Sequence, residues 1–382
     1  MLSIIVGIVI LLIIICFVLG YGYLFTAVRK TYLKGKTGAH IFDGQDFSSN
    51  IIENGNASPW EKAEDYNRRP LSQSLISHLN KTKSVSFLVI KEGKLLSENY
   101  WQGNNQASRT NSFSMAKSIT VMLLGCAIQD KKIESTATKL SYFYPGFAKD
   151  PNGKDCTLGN LSAMESGLDW DENYANPFKP NAKAYYGDDL ADFMLKRKFK
   201  AVSGTQFEYQ SGTTQLLGFA VRKAIGESLS SYASEKLWKP LGMEYSAFWN
   251  LDRENGMEKT YCCINATSRD FGKFGQLLLN NGVYNGQQLL SSEFVQKMIT
   301  GTKLSQESYG NGIWVNNDAQ IKHYYLRGLY GQYVICIPDY NMIVVRTGSS
   351  RDEAKDSKER PEEVELFVNE AVADSESKFI FC

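Results

Sequence analysis

The sequence predicts an α/β (α+β) chain in which an antiparallel β-sheet is flanked by helices and joined to a mostly helical subdomain. Three observations carry this. Two β-rich runs, 84–91 and 94–101, flank Glu92-Gly93, the composition of a tight hairpin turn. A second pair near the other end, 333–337 and 342–347, flanks Pro338-Asp339-Tyr340-Asn341, and a helical stretch follows at 361–373. Between the two hairpins, helical segments are expected at 114–129, 188–196, 213–225, 229–237 and 268–280. Both chain ends therefore contribute strands to one sheet, and the middle supplies helices.

The 382 residues are 43% hydrophobic and 12% aromatic, enough to bury one large core or two tightly packed lobes. Lysine plus arginine number 42 against 41 acidic residues, so the net charge is +1 and no long-range field gathers nucleic acid; no nucleic-acid partner is expected. Seven cysteines (Cys16, Cys126, Cys156, Cys262, Cys263, Cys336 and Cys382) are scattered without a Cys-x-x-Cys pair. They are expected to be small buried apolar residues rather than a disulfide framework or a zinc site. With only His40, His78 and His323 besides, neither a metal nor a cofactor is expected.

From residue 2 to 28 there is no charged side chain, and the run is dense in Ile, Leu and Val. At 1.5 Å per residue such a helix spans a bilayer, so residues 1–28 are expected to be an uncleaved transmembrane anchor. A cleavable signal would carry a basic start, a shorter apolar stretch and small residues before the cut. Ile15 stands where a lipoprotein cleavage site has a small residue, so Cys16 belongs to the anchor. Arg29, Lys30, Lys34 and Lys36 follow the run and nothing basic precedes it, a bias that places the bulk in the cytoplasm; the side of the membrane stays open. Residues 29–80 are polar and glycine-punctuated and read as a tether, leaving 81–375 as the packed domain.

Chemistry starts at Ser114-Met115-Ala116-Lys117. Residues three apart share one helix face, so hydroxyl and amine can touch. A serine hydroxyl is a weak nucleophile that needs a base within reach, and a lysine serves once burial favours its neutral form. The residues that follow, from Ile119 to Ile128, are apolar almost all round, which marks a buried helix. In isolation the spacing fits a helix cap with a surface lysine equally well, and Ser375-Glu376-Ser377-Lys378 repeats it in a polar tail. Tyr209-Gln210-Ser211 supplies a tyrosine that, beside a lysine, can shuttle a proton; alone it would be read as a core tyrosine at a strand end.

Five segments then occur in order: Ser114–Lys117 opening a buried helix, Glu165-Ser166-Gly167-Leu168, Tyr209-Gln210-Ser211, residues 265–275 (NATSRDFGKFG) and Gly328-Leu329-Tyr330-Gly331-Gln332. In this order they resemble the class C β-lactamase-like serine hydrolases with the penicillin-binding-protein fold. The Tyr-x-Ser variant and the last segment are most similar to the branch of 6-aminohexanoate-dimer hydrolases and esterases. The resemblance spans residues 80–375. It implies Ser114 as nucleophile, Lys117 as its base, Tyr209 as proton shuttle and Ser211 in a supporting position usually held by Asn. It also implies an oxyanion hole from the amides of Ser114 and of Leu329, just after Gly328, and a leaving-group contact from Tyr174. A small-molecule or peptide-like amide or ester substrate follows, with the domain expected outside the cytoplasm.

One departure matters. Where the family carries Lys-Thr-Gly or His-x-Gly, this chain has Leu326-Arg327-Gly328, so the cation for a substrate carboxylate is displaced or absent, and uncharged or linear amides and esters fit better. In the middle of a strand triplet, Arg327 should point away from the face of residue 326. A Ser-His-Asp hydrolase is disfavoured because no Gly-x-Ser-x-Gly occurs, and His323 reads as a strand or loop histidine. The competing class is a membrane-bound ligand sensor on the same fold, which would not need Ser114, Lys117 and Tyr209 together.

Overall fold

The computed structural model describes residues 2–376, so Lys378 of the tail repeat and Cys382 lie outside the described residues. Its main sheet has seven strands in the order Trp314–Asn316, His323–Gly328, Gln332–Ile337, Met342–Gly348, Ser84–Lys91, Lys94–Tyr100 and Glu61–Lys62. All neighbours are antiparallel except the last pair. Both expected hairpins form. Glu92 and Gly93 take φ of 51° and 74°, the left-handed pair that a two-residue turn requires, and Asn341 closes the second turn at φ 44°. The chain ends meet in the middle of the sheet, where Val344 pairs with Val89.

Strand periodicity sorts the side chains into two cores. Leu88, Ile90, Ile343, Val345, Val334 and Leu326 face the helices Met115–Gln129 and Ser268–Leu279. Their neighbours Phe87, Val89, Met342, Val344, Ile335 and Tyr325 face the helices Gln73–Lys81 and Glu362–Glu376. Because both faces are covered, these strands read as nearly continuous apolar runs. Within Ser268–Leu279, Arg269 pairs with Glu98 and Glu244 in a nearly buried ion cluster that ties this helix to the strand Lys94–Tyr100.

A second sheet, absent from the sequence expectation, orders Ser49–Ile52, Ala247–Asn250, Ile264–Thr267 and Arg109–Asn111. Strands of three or four residues are too short to show alternation. Ser49–Ile52 comes from the segment read as a tether, which also supplies Glu61–Lys62 and Gln73–Lys81 and is thus folded onto the body.

The expectation of one continuous membrane span is corrected. The helix Leu2–Val18 has 17 residues, about 26 Å at 1.5 Å per residue, against a hydrocarbon core of about 30 Å. The chain then bends by 108° into a second helix, Tyr23–Lys30, with Gly20 left-handed at φ 76° in the bend. Among the described residues no single helix is long and apolar enough to cross a membrane. Contacts with the body hold the second helix instead. Tyr23 Oη donates to Pro177 O at 2.9 Å, and Lys30 Nζ bonds Asp46 O while lying 3.6 Å from the centre of the Phe47 ring.

The cysteine reading holds for Cys126, Cys156 and Cys336, which are free and buried. It fails for Cys262 and Cys263, which form a disulfide between sequence neighbours. Whether adjacent thiols oxidise depends on the turn that brings the sulfurs together, and composition carries no trace of that turn.

Candidate active site

The small sheet sets the nucleophile turn. Asn111 pairs with Asn265 at the end of Arg109–Asn111, and its Oδ1 accepts from Phe113 N at 2.9 Å. Phe113 is thereby held at φ 43°, a left-handed conformation costly for an aromatic residue and kept only where surroundings overdetermine it. Ser114 follows as the N-cap of Met115–Gln129, yet its side chain makes no capping bond. Its hydroxyl instead meets Lys117, whose Nζ donates to Ser114 Oγ at 2.8 Å.

Lys117 is no surface lysine: it is 1% exposed. Its Nζ donates to Ser211 Oγ at 3.0 Å and to Tyr261 O at 3.2 Å, and among the described residues no carboxylate pairs with it. Three oxygens therefore surround one nitrogen. Ser211 opens the helix Ser211–Ile225 and passes its own proton onward, its Oγ donating to Glu172 Oε1 at 2.6 Å and its backbone N to Glu172 Oε2 at 2.7 Å. Glu172 also accepts from Trp170 Nε1 at 2.8 Å and from the Tyr174 hydroxyl. Sequence reasoning missed Glu172 and the Tyr261 carbonyl, because only folding brings them to Lys117.

The Tyr209 ring centre lies 4.9 Å from Lys117 Nζ, and the ring is packed by Trp314 and Tyr309 at 5.4 and 5.9 Å between centroids. Among the described residues its hydroxyl makes no hydrogen bond to Ser114 or Lys117, so Tyr209 is beside the pair but not bonded to it. Tyr174 is 53% exposed and its hydroxyl donates to Glu172; desolvation first, and then the charge of that carboxylate, push the phenol well above its ordinary range.

Gly328 ends the strand His323–Gly328 so close to the nucleophile turn that a Cβ there would lie 2.3 Å from Ser112 O. The turn Leu329-Tyr330-Gly331 is clamped from behind by Arg346, whose Nη1 donates to Tyr330 O at 2.6 Å and Gly331 O at 2.7 Å. Arg346 is wholly buried and pinned further by Ser84, Thr82 and Ser350. Leu326 points into the core and Arg327 to the opposite face, as strand alternation demands; the Arg327 guanidinium lies 5.0 Å from the Trp314 ring centre and donates to Glu359 O at 2.8 Å. His323 begins the same strand, roughly 17 Å from Gly328 at about 3.3 Å per residue. Burial lowers its pKa, and its Nδ1 lies 2.8 Å from Ile321 O.

Ser114, Ser211, Tyr174, Tyr261 and Leu329 line one cavity of about 610 Å3. A larger hollow of about 870 Å3, between Gly22, Lys183, Asp189 and Arg197, holds no comparable nucleophile and base. Behind the cavity wall, Lys259 donates to Tyr185 O at 2.7 Å; burial, and next the charge of Lys30, lower its pKa from 10.5 to about 7. Among the described residues no cluster of His, Cys, Asp and Glu could hold a metal ion.

Comparison with known proteins gives the family and the fold. Residues 73–369 match the beta-lactamase family. The 6-aminohexanoate-dimer hydrolase of Paenarthrobacter ureafaciens is 25% identical over 241 residues, which cover 59% of this chain and 60% of that protein, less than two thirds of its length. A Bacillus anthracis structure assigned as a 6-aminohexanoate-dimer hydrolase superposes with a TM-score of 0.72 at 24% identity, covering 88% of this chain and 92% of the other. The penicillin-binding protein of Bacillus halodurans gives 0.59 at 18% identity, covering 80% of this chain and 100% of the other. At these identities the two structures establish a shared fold.

Proposed function

The chain belongs to the beta-lactamase family, and from that premise we propose that this serine hydrolase cleaves an amide or ester bond through an acyl-enzyme on Ser114. The observation that carries the reading is the hydrogen-bonding of Lys117. A neutral amine has two N–H groups and one lone pair. As it stands Lys117 Nζ is placed to donate to all three oxygens; in the neutral form that the reaction requires, Ser211 Oγ and Tyr261 O, at 3.0 and 3.2 Å, keep the two N–H groups, and the lone pair takes the place of the donor toward the Ser114 hydroxyl at 2.8 Å. The base is thus oriented as well as adjacent.

In the acylation step Ser114 Oγ attacks the substrate carbonyl carbon and its proton moves to Lys117 Nζ. The amides of Ser114 and Leu329 hold the oxyanion. The tetrahedral intermediate collapses by breaking the bond to the leaving nitrogen or oxygen, which takes the proton from Lys117 by way of Tyr209. Water then attacks the acyl ester, its proton follows the reverse route, and Ser114 is released with its hydroxyl restored. Gly328 lets the Leu329 turn approach, Ser211 holds Lys117, and Tyr174 faces the leaving group. Arg327, the strand cation next to Gly328, is turned to the opposite face and held by Trp314 and Glu359 O, which favours amides and esters that carry no carboxylate next to the scissile bond.

Ser114→Ala and Lys117→Ala should each abolish p-nitrophenyl ester hydrolysis while the circular dichroism spectrum and melting temperature stay near those of the parent. Fluorophosphonate should label Ser114 and fail to label Ser114→Ala. Undiminished turnover in either variant sinks the assignment.

For the N-terminus, we infer that the helix Leu2–Val18 lies in lipid. Its exposed Ile10, Leu11 and Ile14, with no charge along its length, support this reading. The full chain should partition into a detergent phase, and a chain beginning at Tyr23 should not; equal partitioning would refute it.

A further inference from the structure

The cavity at Ser114 is lined without a single Asp, Glu, Lys, Arg or His. One of its walls is the helix Tyr23–Lys30, through Leu24, Ala27 and Val28, and Phe113, Tyr186 and Leu329 also line it. This helix lies outside the 73–369 stretch that matches the family. It is also seated against the body, by the Tyr23 hydroxyl donating to Pro177 O at one end and by Lys30 at the other, whose Nζ bonds Asp46 O and lies 3.6 Å from the centre of the Phe47 ring.

From these observations we propose that Tyr23–Lys30 is the specificity wall of an acyl-binding pocket, and that the acyl group it admits is uncharged and apolar. The inference rests on Ser114 as nucleophile and adds what that nucleophile accepts. A cavity of about 610 Å3 is the size of an ordinary small-molecule site. Carbon chains gain from leaving water for such a lining, whereas a carboxylate or ammonium at the chain's end would be stripped of water with no counter-charge to meet it. Val28 is 44% exposed, so this side of the helix still has apolar surface for a substrate to cover.

The test uses the full chain with p-nitrophenyl acetate, butyrate and octanoate, and with the p-nitrophenyl half-ester of octanedioic acid, which has the octanoate length with a terminal carboxylate. Each buried methylene should raise kcat/KM about fourfold, so octanoate should exceed acetate by at least about a hundredfold. The half-ester should fall below octanoate by more than about tenfold, because its carboxylate resists burial. Ala27→Trp, which fills the pocket from the helix side, should lower the octanoate-to-acetate ratio, and Leu24→Ala should raise turnover of dodecanoate relative to octanoate. A flat chain-length series, or a half-ester processed as well as octanoate, overturns the apolar pocket while leaving Ser114 in place. If the chain-length gain holds but neither variant moves the ratios, the role of the helix is overturned. No turnover of any ester, together with no fluorophosphonate labelling, overturns the Ser114 reading and the pocket with it.

Discussion

Glu172→Gln probes the proton order around Lys117 with almost no change in volume. Each carboxylate oxygen of Glu172 serves two donors: Oε1 takes the hydroxyls of Ser211 and Tyr174, and Oε2 takes Ser211 N and Trp170 Nε1. An amide must put its NH2 at one of these places. It cannot face Ser211 N and Trp170 Nε1, which are obligatory donors, so it takes the hydroxyl side. Ser211 Oγ then accepts from the introduced amide and must turn its proton elsewhere. The available acceptor is the Lys117 lone pair, which Ser114 needs. Losing one hydrogen bond to a charged group and misdirecting the base costs about 1.5–3 kcal/mol, a fall in kcat of roughly 10- to 150-fold. Because the loss is felt in the transition state, kcat and kcat/KM should fall together. Steady-state hydrolysis of a p-nitrophenyl ester measures this, and Ser211→Ala supplies the control. In that background Glu172→Gln should cost far less, because the hydroxyl that relays the change is gone. Wild-type kcat in Glu172→Gln, or an equal loss with and without Ser211, would falsify the relay.

Tyr209→Phe should lower kcat by about 10²–10⁴ if its phenol moves the leaving-group proton, whereas Tyr174→Phe, whose hydroxyl is held by Glu172, should cost less; the reverse ranking in the same assay would transfer the shuttle to Tyr174. Gly328→Ala places a methyl 2.3 Å from Ser112 O, so the Leu329 turn must retreat from the nucleophile. Catalysis should fall about 10²–10³-fold, the usual effect of one lost oxyanion donor, with a modest drop in melting temperature; unchanged kcat would remove Leu329 from the site. Lys259, fully buried, has its pKa lowered from 10.5 to about 7. Between those values the unfolded chain binds a proton that the folded chain does not, so its contribution raises stability as pH rises from 7 to 10.5 and is flat below 7. Urea unfolding at pH 7, 8.5 and 10 should show the parent gaining on Lys259→Met by a few kcal/mol on the order of its pKa shift, and parallel pH dependences would refute the depressed value.

What the sequence could disclose is what covalent geometry and short periods encode. Ser114 and Lys117 are three apart, and a helix alone brings them to 2.8 Å. Glu92-Gly93 turns because few residue pairs turn so tightly, and Leu326 and Arg327 part to opposite faces because a strand alternates. The same local reading misleads at the N-terminus. Hydropathy averages along the chain and is blind to the bend at Gly20, so it merges a helix that walls the cavity with the apolar one before it.

Tertiary structure decided what depends on meetings between distant segments. Glu172 reaches Ser211 across 39 residues, and the Tyr261 carbonyl reaches Lys117 across 144. Neither contact leaves a periodic or compositional mark, since a backbone carbonyl is the same in every residue and one glutamate resembles the next. The sequence by itself thus named a hydroxyl and an amine on one helical turn; the fold chose the oxygens that aim the amine, and it opened beside Ser114 a cavity lined by no charged side chain.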